Sequence, residues 1–129
     1  MKTDVEIRQD IYGFIMGSPI KETITGKVSY TDDHEGGEDC MISVPDNENG
    51  QIQEVFVYVR VYVPNINSQG RSKENVPRTK LLERLCADVL ESGFGATFRF
   101  ELDRQIAKPV NGKDEYCISN RLRYKQFNQ

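Results

Sequence analysis

The chain has 129 residues, of which 37% are hydrophobic and 29% charged, a composition typical of a globular protein that predicts a single domain over residues 1–129. The net charge of -3 gives no overall attraction to nucleic acid. No apolar run approaches the roughly 20 residues of a membrane helix, and the opening MKTDVEIRQD lacks the apolar region of a signal peptide. We therefore expect a cytoplasmic protein.

The first predicted element is a helix over residues 4–16. Thr3 and Glu6 have the spacing of a capping box, and apolar residues recur behind them at near-helical spacing. These are Val5, Ile7, Ile11, Phe14 and Ile15. The GSP sequence at residues 17–19 is expected to end the helix, because glycine suits a C-terminal cap and proline cannot continue the helix.

Two strands are predicted next, over residues 24–31 and 39–45. The DNENG sequence at residues 46–50 follows them and is typical of a tight turn, because its Asn-Gly pair tolerates positive φ angles. It leads into a third apolar segment. The three strands are therefore predicted to form a meander.

The run TDDHEGGED joins the first two strands and holds His34, the only histidine, among the carboxylates of Asp32 to Asp39. Several carboxylates can coordinate calcium or magnesium, so a metal-dependent hydrolase built on Asp32, Glu35 and Asp39 is one hypothesis. The spacing matches neither the calcium-binding loop nor the HExxH motif. We favour a loop that lies in solvent.

The sequence QIQEVFVYVRVYVP predicts one long strand over residues 51–64. Valine at every odd position from 55 to 63 places one face of this strand in the core. The other face carries Phe56, Tyr58, Arg60 and Tyr62. Aromatic residues and arginine are enriched at interfaces, and a strand of roughly 45 Å spans the whole domain, so we predict that these four residues form an oligomer interface. The alternatives are that the same chain covers this face or that a bulge bends the strand.

The polar segment at residues 65–75 shows no periodicity and is predicted to be an exposed loop that orders on docking. A second helix follows, with Asn75 as its cap, Pro77 in its first turn and Gly93 at its end. Its apolar stripe consists of Leu81, Leu82, Leu85, Cys86, Val89 and Leu90. With Cys40 and Cys117, Cys86 is one of three widely spaced cysteines, which we expect to be reduced core thiols.

The remaining chain alternates on both sides of the VNGKDE turn at residues 110–115, which predicts a C-terminal hairpin. In its second strand Arg121, Arg123 and Lys125 share one face. The nearby aromatic residues, Tyr116, Tyr124 and Phe127, are expected on the opposite face, which argues against the stacking platform of a protein that binds single-stranded nucleic acid. We predict Arg121, Arg123 and Lys125 as a partner contact.

The predicted order is α-β-β-β-α-β-β in an α+β domain, with a mainly antiparallel sheet and two helices packed on one face. A single histidine in an acidic turn gives no catalytic triad, and neither glycine-rich fragment matches a phosphate-binding loop. The sequence therefore predicts a protein that is not an enzyme and needs no cofactor, metal or small-molecule substrate.

The order of these motifs resembles the tail-terminator and head-tail joining proteins of tailed phages and prophages. The segments that carry the resemblance are IYGFIMGSPI, ITGKVSY, EDCMISVPDNENGQIQEVFVYVRVYVPNI, the leucine-rich helix and FRFELDRQIAKPVNGKDEYCISNRLRYKQFN. The chain departs from this pattern at TDDHEGGED, where a short arginine-proline turn is expected.

The resemblance implies a virion structural protein that forms a ring, commonly of six copies, between the tail tube and the head connector. Contacts in such a ring are heterologous, so the face of Phe56, Tyr58, Arg60 and Tyr62 needs a complementary patch elsewhere on the chain. The basic residues near the C-terminus or the acidic loop are candidates for that patch. The alternative function is an accessory module that binds nucleic acid or protein through the C-terminal basic strand.

Overall fold

The computed structural model describes residues 2–45 and 54–127 and has an α+β fold. Within these residues three helices accompany a mixed, mostly antiparallel six-stranded sheet and a separate two-stranded hairpin. The helices are α1 (Asp4–Met16), α2 (Pro19–Thr23) and α3 (Val76–Val89). The strands are β1 (Val28–Ser29), β2 (Cys40–Ser43), β3 (Glu54–Pro64), β4 (Ile66–Ser68), β5 (Arg71–Lys73), β6 (Ser92–Phe94), β7 (Phe98–Pro109) and β8 (Glu115–Gln126).

The six-stranded sheet has the order β1-β2-β3-β8-β7-β6, in which only β1 and β2 are parallel. Strand β3 pairs with β8 along its whole described length, from Glu54 opposite Lys125 to Pro64 opposite Glu115. On its other side β3 pairs with β2. The described part of the long strand is therefore an interior strand of the sheet. The predicted DNENG turn and the start of the predicted strand, at residues 46–53, lie outside the described residues.

Helix α1 has the predicted bounds, and both hydrogen bonds of its capping box are present: Glu6 N–H donates to Thr3 Oγ1 (3.2 Å) and Thr3 N–H donates to Glu6 Oε1 (2.8 Å). The GSP sequence ends α1 as expected, but it also begins α2, which sequence analysis missed. Ser18 caps α2 and Pro19 occupies its first turn, where the missing N–H costs little.

The predicted arrangement of two helices on the sheet does not match the structure, because a third helix, α2, lies against the other two. Helix α1 contacts β1 and β2, α3 contacts β3, β7 and β8, and α2 contacts both other helices.

Helix α3 begins after the predicted cap, Asn75, whose side chain accepts from Arg78 N–H (3.3 Å). It ends at Val89, short of Gly93, and residues 92–94 form β6 instead. Leu81, assigned to the apolar stripe of this helix, is exposed.

The predicted meander was wrong at its first strand, which shrinks to two residues and runs parallel to β2. The N–H groups of Thr25 and Lys27 donate to the carboxylates of Glu38 (3.1 Å) and Asp39 (3.0 Å) and so are used outside a strand ladder. Gly26 lies so close to Glu38 and Asp39 that a Cβ at this position would be 2.2 Å from Asp39 Oδ1. The backbone of residues 24–27 is therefore packed against acidic side chains.

The segment predicted as an exposed loop at residues 65–75 contains the hairpin of β4 and β5. Its turn residues Gln69 and Gly70 both have positive φ angles, of 54° and 75°. Such a turn is compatible with a tight hairpin, and the Gln-Gly pair is a weaker signal for it than Asn-Gly. The hairpin was missed because its strands are only three residues long and, apart from Ile66, polar.

One core joins the helices to the sheet and confirms the valine face of β3. Its residues include Ile7, Ile11 and Ile15 of α1, Leu82 and Cys86 of α3, Val57, Val59, Val61 and Val63 of β3, and Ile118, Leu122 and Tyr124 of β8. All three cysteines are buried and free. Burial raises the pKa of the Cys117 thiol to about 11, so this thiol stays protonated at neutral pH. None of the helices in the described ranges is both long enough and apolar enough to cross a membrane.

Candidate functional site: the outer face of the sheet

The two sets of residues predicted as contact sites lie on the same face of the sheet. Phe56 is opposite Arg123 and Tyr58 is opposite Arg121 in the register of β3 and β8. Partners directly opposite each other in a sheet project to the same side. We call this side, which faces away from the valines of β3, the outer face. It carries Phe56, Tyr58, Arg60, Tyr62, Arg121, Arg123 and Lys125, none of which belongs to the core.

The two sets were predicted as separate patches, and the prediction against aromatic stacking compared the arginines with Tyr116, Tyr124 and Phe127 near the C-terminus. Tyr124 is indeed buried in the core. The aromatic residues beside the arginines come from β3 instead. This arrangement depends on which strand lies next to β8 and in which register, and no local pattern in the sequence specifies either.

Cation–π contacts hold the aromatic rings of the outer face in place. The guanidinium carbon of Arg121 lies 4.6 Å from the centre of the Phe56 ring, and that of Arg60 lies 4.7 Å from the centre of the Tyr58 ring. Arg60 Nη1 also donates to Ser43 Oγ on β2 (2.9 Å). Phe56 is 39% exposed, whereas Tyr58, Arg60 and Tyr62 are half-buried. The four residues form an ordered surface that is open to solvent.

Carboxylates on β7 moderate the positive charge of this face. Asp103 lies at an irregularity in the β7–β8 register, between Leu102 and Arg104. It accepts from Arg121 Nε (2.7 Å) and from Arg123 Nη2 (3.1 Å). A bulge redirects a side chain in this way because the extra residue has no cross-strand partner. The arginines are therefore oriented by Asp103, while Lys125 at the end of β8 is exposed.

The Tyr62 end of the outer face is closed by His34 from the acidic loop. The two rings stack at a centroid distance of 3.8 Å and an angle of 14°. His34 Nδ1 lies 2.7 Å from Asp39 Oδ2, and His34 Nε2 lies 2.9 Å from Glu115 Oε1. Both carboxylates are buried. Each ring nitrogen thus faces a carboxylate, and the imidazole connects the loop to the start of β8.

The expectation that the acidic loop lies in solvent was wrong for its second half. Glu38 and Asp39 are buried, because their oxygens accept hydrogen bonds that residues 24–27 and α3 would otherwise leave unsatisfied. Arg78 of α3 donates to both oxygens of Glu38, at 2.6 and 2.8 Å. Asp32, Asp33 and Glu35 are exposed as expected.

Hydrogen bonds determine the charge state of the buried carboxylates. Burial raises the pKa of Asp39, but donors from the backbone of Glu35 and Lys27 and from His34 outweigh burial and lower it below the ordinary value. The pKa of Glu38 is lowered in the same way: burial opposes the shift, and Arg78 and the Thr25 N–H produce it. Both groups are therefore anions that stabilise the fold at neutral pH.

The carboxylates of the loop are thus engaged by protein donors. Within residues 2–45 and 54–127, no group of three or more histidine, cysteine or acidic side chains is arranged to hold a metal ion. The hydrolase hypothesis, which needed Asp32, Glu35 and Asp39 to converge on a cation, gains no support from this geometry. No protein-family model, curated protein or solved structure matches this chain.

Proposed function

We propose that this protein is a non-enzymatic structural protein of the tail-terminator or head-tail joining type, which acts by assembling with copies of itself into a ring at the end of a phage tail. The tail tube and the head connector are its expected partners. The observation that carries the proposal is the outer face, where Phe56, Tyr58 and Arg60 lie beside Arg121. The order of motifs along the chain supports the same class of protein.

The composition of the outer face suits contact with a protein. Aromatic residues and arginine are enriched at the centres of interfaces because they combine a large contact area with specific polar groups. The cation–π contacts of Arg121 with Phe56 and of Arg60 with Tyr58 restrict these side chains before assembly. Less conformational entropy is then lost on binding. Half-buried rings also provide an apolar centre with a charged rim.

Replacing Tyr58 and Arg60 together by alanine is expected to weaken self-association by at least about 100-fold, the effect of removing an interface hot spot. The monomer should retain its circular dichroism spectrum, because neither side chain belongs to the core. Sedimentation velocity over a concentration series measures the association. Leu81→Ala combined with Arg84→Ala is the matched control, since this exposed leucine–arginine pair lies on α3.

Three results would contradict the proposal. The wild-type protein could remain monomeric at its highest soluble concentration, both alone and with tail-tube protein added. The Tyr58→Ala, Arg60→Ala variant could assemble as well as the wild type. Alternatively, this variant could unfold, which would show that the outer face stabilises the monomer.

The neighbouring positions of Phe56, Tyr58, Arg121 and Arg123 favour a second candidate function, the binding of single-stranded nucleic acid. Proteins of this kind combine aromatic stacking surfaces with basic side chains. Arg121→Glu with Arg123→Glu is expected to reduce the affinity for a fluorescent oligonucleotide of about twenty nucleotides and the salt dependence of binding. Fluorescence anisotropy at low salt measures both quantities. The absence of binding by the wild type under these conditions would exclude this function.

A further inference from the structure

A cleft of about 740 Å³ opens beside β6, at the edge of the sheet farthest from β1. Its walls include Phe94 and Phe127, which are 78% and 43% exposed. Its base includes Phe14 and Phe100, whose rings meet edge to face with a centroid distance of 4.8 Å. A cleft of this size with several aromatic walls has the dimensions of a ligand site. Nothing in the proposed ring contact on β3 uses Phe94.

Gly93 brings the backbone of β6 against the base of this cleft. A Cβ at this position would lie 2.6 Å from the Phe100 ring and 2.7 Å from the Phe14 ring, so both rings would have to shift to admit a side chain. Glycine therefore allows β6 to run directly over the two phenylalanines. As a result, the backbone itself, and not only side chains, borders the cleft.

The outer edge of β6 is suited to strand addition. Strand β6 pairs with β7 and, among the strands that the structure describes, with no second neighbour. The residues of β6 are Ser92, Gly93 and Phe94, which include no charge and no proline. Charged residues and proline are the usual means of blocking an edge strand. An extended peptide can therefore continue the sheet here through backbone hydrogen bonds.

The charges around the cleft favour an acidic occupant. Among the described residues that line it, Arg99, Arg123 and Lys125 are basic and Glu101 is acidic. Arg123 contacts Glu101 at 3.5 Å, and the described ion pairs of Glu101 do not include Arg99. The guanidinium carbon of Arg99 lies 6.0 Å from the centre of the Phe127 ring, which positions a cation beside an aromatic wall. Carboxylates next to an apolar side chain match this arrangement.

We propose that this cleft binds an extended acidic segment of a different protein, which adds as a strand along β6, inserts an aromatic or aliphatic side chain between Phe94 and Phe127, and directs a carboxylate to Arg99. The inference deepens the proposed function and rests on it, because it gives the expected partner a defined site, a cleft that the predicted contact residue Lys125 lines. Nucleic acid fits this cleft less well, since it has no amide backbone to pair with β6.

Selection from a bead-bound library of random twelve-residue peptides against the immobilised full chain tests this inference. Enriched peptides are expected to carry an aromatic or aliphatic residue within two positions of aspartate or glutamate. Their affinity should fall at least about tenfold on Phe94→Ser and on Arg99→Glu. Leu81→Ser and Arg84→Glu, at exposed positions of α3, are the matched controls and should bind as the wild type does.

Peptides with N-methylated amides test the strand addition without changing the protein. Methylation of alternate amides in one register should abolish binding, and methylation in the other register should preserve it, because alternate amides of an added strand face β6. Equal binding of both peptides would overturn this part of the inference.

Three further results would overturn the inference as a whole: no enriched peptides, enriched peptides without acidic residues, or equal binding to Phe94→Ser and the wild type. If Phe94→Ser instead reduces self-association of the protein, the occupant is a second copy and the inference is also wrong. The Tyr58→Ala, Arg60→Ala variant tests ring assembly without altering the cleft, so the proposed function and this inference can fail separately.

Discussion

Replacing His34 by leucine is expected to lower the free energy of unfolding by about 3 kcal/mol, although sequence analysis placed this residue in a solvated loop. Leucine retains an apolar contact with the Tyr62 ring but donates no hydrogen bond. The buried carboxylate of Glu115 then loses the one side-chain partner described for it, whereas Asp39 keeps the N–H groups of Lys27 and Glu35. A buried charge without a partner costs more than the original pair contributed. Urea unfolding at neutral pH measures the change.

Glu35→Gln is the control for this prediction, because Glu35 lies in the same loop with its side chain 80% exposed. We expect it to change the free energy of unfolding by less than about 0.5 kcal/mol. Combining His34→Leu with Glu115→Leu should recover part of the loss, since it removes the carboxylate that the single change leaves without a described donor. A loss below about 1 kcal/mol for His34→Leu would show that water replaces the imidazole at both carboxylates.

Replacing Arg78 by methionine is expected to cost about 3 kcal/mol at pH 7 and clearly less near pH 4.5. In the wild type the pKa of Glu38 lies below its ordinary value of 4.5. Glu38 therefore stabilises the fold above the pKa of the unfolded chain, and this contribution is lost as the pH falls through the folded pKa. Without Arg78, burial remains and raises the folded pKa. The variant then gains stability relative to the wild type as the pH falls.

Urea unfolding of both proteins at the two pH values measures this difference. Arg84→Met on the same helix is the control, because Arg84 is 77% exposed and contacts only Asp88 among its described ion pairs, at 3.8 Å. Its effect should stay below about 0.5 kcal/mol at both pH values. A deficit of Arg78→Met that is equal at pH 7 and pH 4.5 would show that Arg78 stabilises the protein through packing and its hydrogen bond to the Thr23 carbonyl (2.7 Å), and not through Glu38.

Signals within a single element predicted most of the secondary structure. The capping box of Thr3 and Glu6, the Asn75 cap and the alternation in β3 and β8 each act over a few residues, because capping geometry and side-chain periodicity are local properties of the backbone. The local nature of these signals also explains why α2 and the hairpin of β4 and β5 were not predicted. Pro19 was interpreted as the end of one helix when it also begins another, and polar strands of three residues carry too little periodicity to be recognised.

The features that the sequence could not supply join residues far apart along the chain. Arg78 reaches Glu38 across 40 positions and His34 reaches Glu115 across 81. Contacts of this kind bury the carboxylates of Glu38 and Asp39, although the composition of their loop alone predicts that they are exposed. No periodicity or spacing encodes such a pair, since each residue looks ordinary within its own segment.

By itself, the sequence determined an α+β fold and the burial of the valine face of β3. Alternation at period two places every odd-numbered valine on one side of the strand, and this uniformly apolar side is the one that enters the core. Only the tertiary structure decided which side chains lie beside the other face of β3. The register that places Tyr58 beside Arg121 unites two predicted patches into one outer face, and the stacking of His34 on Tyr62 closes its end. Strand order and register are set by the packing of the whole domain, so this face exists only once the chain has folded.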